Sequence, residues 1–422
     1  MKRSLTLLAT LLLAASTLQA QHVDPTAARF LREDNSRAAN NINSYEATPS
    51  PETPAPAGFR PFYVSHYGRH GSRSTWGEPV YIKLIETLTS ARNVGILTPQ
   101  GDSLLQEIQR VKDFHNGMDG RLTQRGVREH REIAERLYAR YPGVFDGPVK
   151  VRAIGSTSQR CLISMNSFTV ALGQKNPQMR FYLDTGDKFM GYISNTSEAN
   201  RLTAGTEGLL HDWMEGWQVD TVTLLRNLFS NQKAARILVP NIEEFQENII
   251  STAEVAEDFD IPENLYRYVP FDAIYRKWSR QNHYLYMHHC NSVEFGRERM
   301  PLAQSAIDDI ITKADEAIAG GEYAADLRFG HDYPLMAIAS YLGIEGVGDR
   351  LRFDEVDAHW YGWRNICMGS NLQLVFYRND AGEVLVKFLY NERESLLRGL
   401  KPYSGPYYRW EDFKADPAGY LR

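Results

Sequence analysis

A chain of 422 residues is too long for one small hydrophobic core, which implies two units or one large unit with an insertion. Its 43% hydrophobic and 23% charged residues are ordinary for a water-soluble globular protein and exclude a fibrous or wholly disordered chain. The formal charge of −5 leaves no broad basic surface, so nucleic acid is not an expected partner. A few arginines at contact distance can still hold an anion, because a diffuse opposing field is screened over about 10 Å.

Met1–Ala20 read as a secretory leader. Lys2 and Arg3 give the positive start, Leu5–Ala15 an apolar stretch too short to span a bilayer comfortably, and Ala20 a small residue for cleavage. No cysteine follows the apolar run, so no lipid anchor is expected at this end. No other stretch is long and apolar enough for a membrane span. The expectation is an exported protein, periplasmic or secreted. Cys161, Cys290 and Cys367 are too few for a disulfide framework. They allow at most one bridge, and three free buried thiols account for them at least as well. From Gln21 to about Gly58 the chain is polar and ends in Pro49, Pro51, Pro54 and Pro56, which reads as a linker or a surface-hugging arm.

The apolar and aromatic run from Phe62 reads as a buried strand that breaks at Gly68 into Arg69-His70-Gly71-Ser72-Arg73. Glycine lets the backbone approach a ligand, and the arginine fork matches phosphate oxygens. A histidine held between such arginines is a nucleophile in its neutral form, with phosphorus a plausible target. His66, outside this frame, reads as a strand-end histidine packed on the sheet. Tyr81–Thr89 predicts a helix with Ile82, Ile85 and Leu88 on one face. A second helix opens at Leu122-Thr123, with Thr123 as its cap, and stops at Tyr141-Pro142-Gly143. Val149–Ile154 predicts a strand, and Gly155–Cys161 turns into a helix with Leu162, Met165, Phe168 and Leu172 inward. Arg160 thus falls between a strand's carboxyl end and a helix's amino end, where parallel α/β sheets place anionic ligands.

From about Asn176 to Arg299 strand signals fade and helical stretches rich in Trp, Tyr and Asn take over, as in an inserted helical cap. Trp213, Trp217 and Trp278 read as its core. His288-His289-Cys290 is not expected to bind metal. Neighbouring helix positions point about 100° apart, and no second ligand pair stands at zinc-like spacing. Ala303–Ala319 predicts a helix ended by Gly320-Gly321. Ala325–Phe329 is a short strand, followed by Gly330, His331-Asp332 and a helix from Tyr333-Pro334. Asp332 could be no more than that helix's N-cap. A third strand-loop-helix junction gives it a larger role. Leu372–Tyr377 and Val384–Leu389, joined through Asn379-Asp380-Ala381-Gly382, predict a hairpin.

Arg69-His70-Gly71-Ser72-Arg73 resembles the signature of the histidine phosphatase superfamily, in its acid-phosphatase and phytase branch. The usual pattern is R-H-G-x-R-x-P, and Thr75 stands here in place of the proline. Leu122-Thr123-Gln124-Arg125-Gly126 is similar to that branch's L-T-x-x-G helix, and Asn391-Glu392 to a segment after its hairpin. Ser156-Thr157-x-x-Arg160 is similar to the branch's S-T-x-x-x-R segment. Arg160-Cys161 resembles the multiple inositol polyphosphate phosphatases, whereas His331-Asp332 resembles the H-D pair of acid phosphatases and bacterial phytases. Tyr333-Pro334 departs from the common continuation.

The resemblance implies an α/β fold, with a Rossmann-like, mostly parallel sheet flanked by helices over 59–175 and 300–422 and a helical cap over 176–299. It implies His70 as the nucleophile that becomes phosphohistidine and Asp332 as the proton donor. Arg69, Arg73, Arg160 and a protonated His331 would bind the phosphate, with no metal or cofactor. The partner would be a small phosphorylated substrate, with inositol polyphosphates such as phytate in range. The competing reading is a non-catalytic binder of phosphorylated ligands on the same scaffold; the presence of both His70 and Asp332 counts against it. A mutase is disfavoured by the leader, since export removes the chain from glycolytic intermediates.

Overall fold

The computed structural model describes residues 23–48, 50–75, 79–194 and 204–422. The leader-like Met1–Ala20 lies outside them.

The run after the proline-rich stretch is strand β1 (Arg60–Arg69), buried from Tyr63 onward. It sits near the middle of an eight-stranded sheet with β2 (Lys150–Gly155), β3 (Arg180–Thr185), β4 (Tyr323–Gly330), β5 (Asn371–Arg378), β6 (Val384–Tyr390), β7 (Arg393–Ser395) and β8 (Tyr407–Arg409). The order is β3-β2-β4-β1-β5-β6-β7, with β8 on β6. β1, β4, β2 and β3 are parallel; β5, β6, β7 and β8 continue antiparallel, the first two forming the expected hairpin. Parallel strands need crossovers and are covered on both faces, which is why β1 and β4 are buried along most of their length, Ser65, His66, Asp326 and Arg328 included.

Helix α1 (Pro25–Glu33) precedes the sheet, and α2 (Gln124–Arg140), α3 (Gln159–Lys175), α4 (Gln304–Ile318) and α5 (Asp332–Leu342) flank it. Thr123 caps α2 by accepting from the Gly126 N–H, as its position predicts. Ile133, Leu137, Phe168 and Leu172 of α2 and α3 pack with Val151, Ala153, Leu327 and Phe329. On the opposite face Ile307, Ile310, Leu335 and Ile338 of α4 and α5 pack with Leu372, Leu374 and Phe376.

Two borders differ from the sequence reading. The sheet does not stop at residue 175: β3 pairs with β2 along its whole length, and the helical insert begins after it, at Asp187. β3 was invisible because five of its six residues are exposed, so it carries no buried-strand pattern. The stretch from Gln21 to Gly58 is more than a linker. Asp24 caps α1 through the N–H groups of Thr26 and Ala27, and α1 buries Ala27, Ala28 and Leu31 in the core of the insert. A 3₁₀ segment, Asn35–Ile42, then buries Ala38, Ala39 and Asn40. The burying residues are few and small, so composition hides them. Further on, Glu52 pairs with Lys387, a fully buried lysine of β6 set among the rings of Tyr141, Tyr377 and Tyr407. Trp217 and Trp278 are buried, and Trp213 packs against the same cluster. The three cysteines are buried free thiols. Among the described residues no helix is long and apolar enough to cross a membrane.

Candidate active site

Three neighbouring parallel strands, β1, β4 and β2, end side by side, and the three strand-to-helix junctions singled out in the sequence meet there. The loop after β1 is tied down by backbone bonds. His70 N–H donates to Gly330 O (3.0 Å), Gly369 N–H to His70 O (3.0 Å), and Arg69 N–H to Ser370 O (2.8 Å). A Cβ on Gly71 would sit 2.6 Å from Gly126 O, and one on Gly126 would sit 2.3 Å from Ser72 O. The loop and the first turn of α2 therefore touch backbone to backbone, which only paired glycines permit. Buried Glu129 of α2 holds the loop from below, accepting from Ser72 N–H and Ser72 Oγ (2.7 Å each) and from Tyr45 N–H (3.0 Å).

His70 is buried, and its ring stands edge-on to that of His331 with centroids 5.6 Å apart. Its Nδ1 lies 3.0 Å from Gly71 O. A carbonyl only accepts, so Nδ1 carries the hydrogen and Nε2 the lone pair. Burial, then Arg69, Arg160, His331 and Arg73, holds the imidazole well below its ordinary pKa and so neutral. Arg69 is fully buried; its Nη1 donates to the carbonyls of Asn41 and Ile366, and its Nη2 pairs with Asp332 Oδ2 at 3.0 Å. Its Nε has no hydrogen-bond partner among the described residues. Arg73 is pushed down to about 10 by burial and by Arg69 and Arg160, and remains a cation at any working pH.

Arg160 Nη2 donates to His331 Nδ1 (3.3 Å), while His331 Nε2 lies 2.9 Å from Ser156 Oγ. In the free pocket this geometry favours a neutral His331; the expectation of a protonated one concerns the phosphate-bound state. Burial and Arg160, against the opposing pull of Asp332, lower it to about 4, and its Nδ1 is already an acceptor. Tyr333 stacks on it with rings 9° from parallel. Asp332 is the first residue of α5, with His331 in the cap position. Burial alone would raise its carboxyl, but Arg69, Asn41 and His331 outweigh that and hold it well below the usual carboxylate range.

The structure thus brings together all six residues picked from the sequence, and adds partners that sequence reasoning missed. Asn41 Nδ2 donates to Asp332 Oδ2 at 2.7 Å. Ser156 and Glu129 orient His331 and the loop. Asn41 and Glu129 have no local signature, whereas Ser156 lies inside the Ser156-Thr157-x-x-Arg160 segment without its role being readable there. His66 is a packed sheet residue, between Phe168 and Phe329. His288 gives its Nδ1 hydrogen to Tyr284 O, and among the described residues no three His, Cys, Asp or Glu side chains are grouped to hold a metal ion.

An α/β protein whose parallel strands end in a cationic pocket around a neutral, backbone-oriented imidazole has the build of a phosphoryl-transfer enzyme. The chain belongs to the histidine phosphatase superfamily (branch 2), whose family model matches residues 68–391, and it is a phosphatase of the histidine acid phosphatase kind. No curated protein matches it by sequence. Among solved structures it is similar to the multiple inositol polyphosphate phosphatase of Bifidobacterium longum in complex with phosphate. That pair has TM-score 0.73 and 18% identity, covering 90% of this chain and 97% of the other. The same protein in complex with inositol hexasulfate gives TM-score 0.68 at 18% identity, with the same coverage. The phytase from D. castellii gives 0.67 at 14% identity, covering 95% and 90%. Identities this low speak for the fold.

Proposed function

We propose that this phosphatase hydrolyses phosphomonoesters through a phosphohistidine on His70, with inositol polyphosphates among its substrates, and that it works after export. The observation that carries the chemistry is the His70 tautomer. With Nδ1–H spent on Gly71 O, the Nε2 lone pair is free, and burial, then the surrounding cations, disfavours its protonation.

A phosphate dianion held by Arg69, Arg73 and Arg160 cancels much of the field that strips Asp332 of its proton, so the bound complex favours a protonated Asp332 and a cationic His331. Nε2 then attacks phosphorus as the P–O bond to the alcohol breaks, and Asp332 gives that oxygen its proton. In the second half Asp332, now a carboxylate, takes a proton from water as the water oxygen displaces Nε2. Inorganic phosphate leaves and the imidazole is restored. The likeness to the Bifidobacterium protein and to a phytase, together with Arg160-Cys161, supports inositol polyphosphates. Lys2, Arg3 and the apolar Leu5–Ala15 support export.

His70→Ala is expected to abolish turnover of p-nitrophenyl phosphate. Rapid mixing of the unaltered enzyme is expected to trap an acid-labile phosphoprotein. Full turnover by the variant would overturn the mechanism, and an ion-chromatography profile of phytate breakdown tests the substrate class.

A further inference from the structure

The Asn391-Glu392 pair, singled out in the sequence, has no part in the chemistry above. It forms the two-residue turn between β6 and β7, with both residues in the left-handed region at φ 49° and 61°. Asn391 N–H donates to Asn371 O (2.8 Å), its Oδ1 accepts from Asn371 N–H (3.0 Å), and its Nδ2 donates to Arg364 O (3.1 Å). The buried Glu392 carboxylate takes a paired contact from Arg136. Held from both sides, the turn fixes Arg393 at the edge of a cleft of about 420 Å³, whose lining includes Glu345, Gly346, Arg364, Asn365 and Ser395. We propose that this cleft is a second anion site, which binds hydrogen phosphate, released by the phosphatase reaction itself, between Arg364 and Arg393.

The cleft is built before any ligand arrives. Asn365 Nδ2 donates to Gly346 O (3.3 Å) and Tyr390 OH to Asn365 O (2.7 Å), so the loop around Gly346, the turn Gly362–Asn365 and β6 are joined across it. Side chains alternate along β7, so Arg393 and Ser395 face one side and Glu394 the other, where Thr53 and Lys387 take its carboxylate. Nearby arginines are matched to acids, Arg136 to Glu392 and Arg398 to Asp349. Arg364 and Arg393 are not: among the described residues neither guanidinium is in an ion pair or donates a hydrogen bond. Arg364 lies over the Tyr361 ring, 5.0 Å from its centre, which steadies the guanidinium and leaves its N–H edge to a ligand. Partial burial lowers its pKa, Tyr361 opposes that, and the positive field of Arg393 adds to it, so the two cations are close enough to repel each other. An oxyanion between them turns that repulsion into attraction, and each guanidinium fork matches two of its oxygens. Glu345 also lines the cleft and is in no ion pair with either arginine. A carboxylate there selects an anion that keeps a hydrogen to donate, as the P–OH of hydrogen phosphate does and sulfate does not. The cleft shares no lining residue with the six of the catalytic pocket, so the proposal holds whether or not His70 is the nucleophile.

Equilibrium dialysis of the full chain against labelled inorganic phosphate at neutral pH tests it. The unaltered chain is expected to bind two phosphates, one in the catalytic pocket and one in the cleft, and the double change Arg364→Gln with Arg393→Gln to bind one. Arg393 is exposed, so Arg393→Gln alone keeps the fold and should weaken the cleft site roughly tenfold or more. Turnover of p-nitrophenyl phosphate, unchanged in both variants, reports that they are folded. Sulfate should occupy the cleft roughly tenfold more weakly than phosphate, and Glu345→Gln should erase that preference. Phosphate binding that both arginine variants leave intact would overturn the site, and equal binding of sulfate by the unaltered chain would overturn the choice of ligand. A single bound phosphate that Arg393→Gln releases would uphold the cleft and tell against the catalytic pocket instead.

Discussion

Two histidines beside the pocket make the stability of this enzyme a function of acidity. His66 of β1 and His130 of α2 are both buried to within 1% and pack against Phe329. Burial lowers each to about 3; for His66, His130 and Arg328 add to the effect. In the unfolded chain each titrates near 6.5. Above that value neither state binds the proton and no stability is at stake. Below it the unfolded chain takes up a proton the folded one refuses, so stability falls as pH drops from about 6.5 towards 3. The slope is about 1.4 kcal/mol per pH unit per histidine, so at about pH 4.5 His66 alone costs roughly 2.7 kcal/mol. The test is urea unfolding of the unaltered chain and of His66→Leu at neutral pH and near pH 4.5. Packing changes shift the variant at both pH values alike and cancel in the comparison. The variant is expected to lose about 2.7 kcal/mol less on acidification. Equal losses in the two proteins would refute the claim that His66 stays neutral in the fold.

Other outcomes are expected at the pocket. Asn41→Ala removes a charge-assisted hydrogen bond to Asp332 while leaving the backbone carbonyl that Arg69 uses. At about 1.5–3 kcal/mol for such a bond, kcat on an alkyl phosphate should fall roughly tenfold or more. p-Nitrophenyl phosphate, whose leaving group needs no proton, should be nearly unaffected; equal losses on both esters would show that Asn41 does not serve the acid. Gly71→Ala drives a methyl group to 2.6 Å from Gly126 O, which costs about 1–3 kcal/mol and should lower both the unfolding midpoint and kcat. Wild-type values for both would mean that the loop yields freely.

The three strand-loop-helix junctions were legible because each is local. An apolar run, a glycine or small-residue break, charged residues and an amphipathic helix follow one another within about a dozen residues. Adjacency of β2, β4 and β1 then does the converging. What could not be read comes from afar or from within. Asn41 sits in a segment whose prolines and polar residues suggest a linker, and its role depends on a contact across 291 residues. β3 is exposed on an edge and lacks the burial that marks a strand. The state of His331 in the free pocket could not be read either, because burial, Arg160 and Ser156 come from elsewhere in the chain.

The threading of the pocket bears on how the enzyme matures. Asn41 meets Asp332 across 291 residues, and Arg69 meets Ile366 across 297. Closing loops of that size costs about 5 kcal/mol of chain entropy before any contact repays it. The first and last thirds of the polypeptide must both be in place before Arg69 and Asp332 have their partners. A nascent chain therefore lacks a finished catalytic centre, and competence arrives late, as one of the closing events of folding.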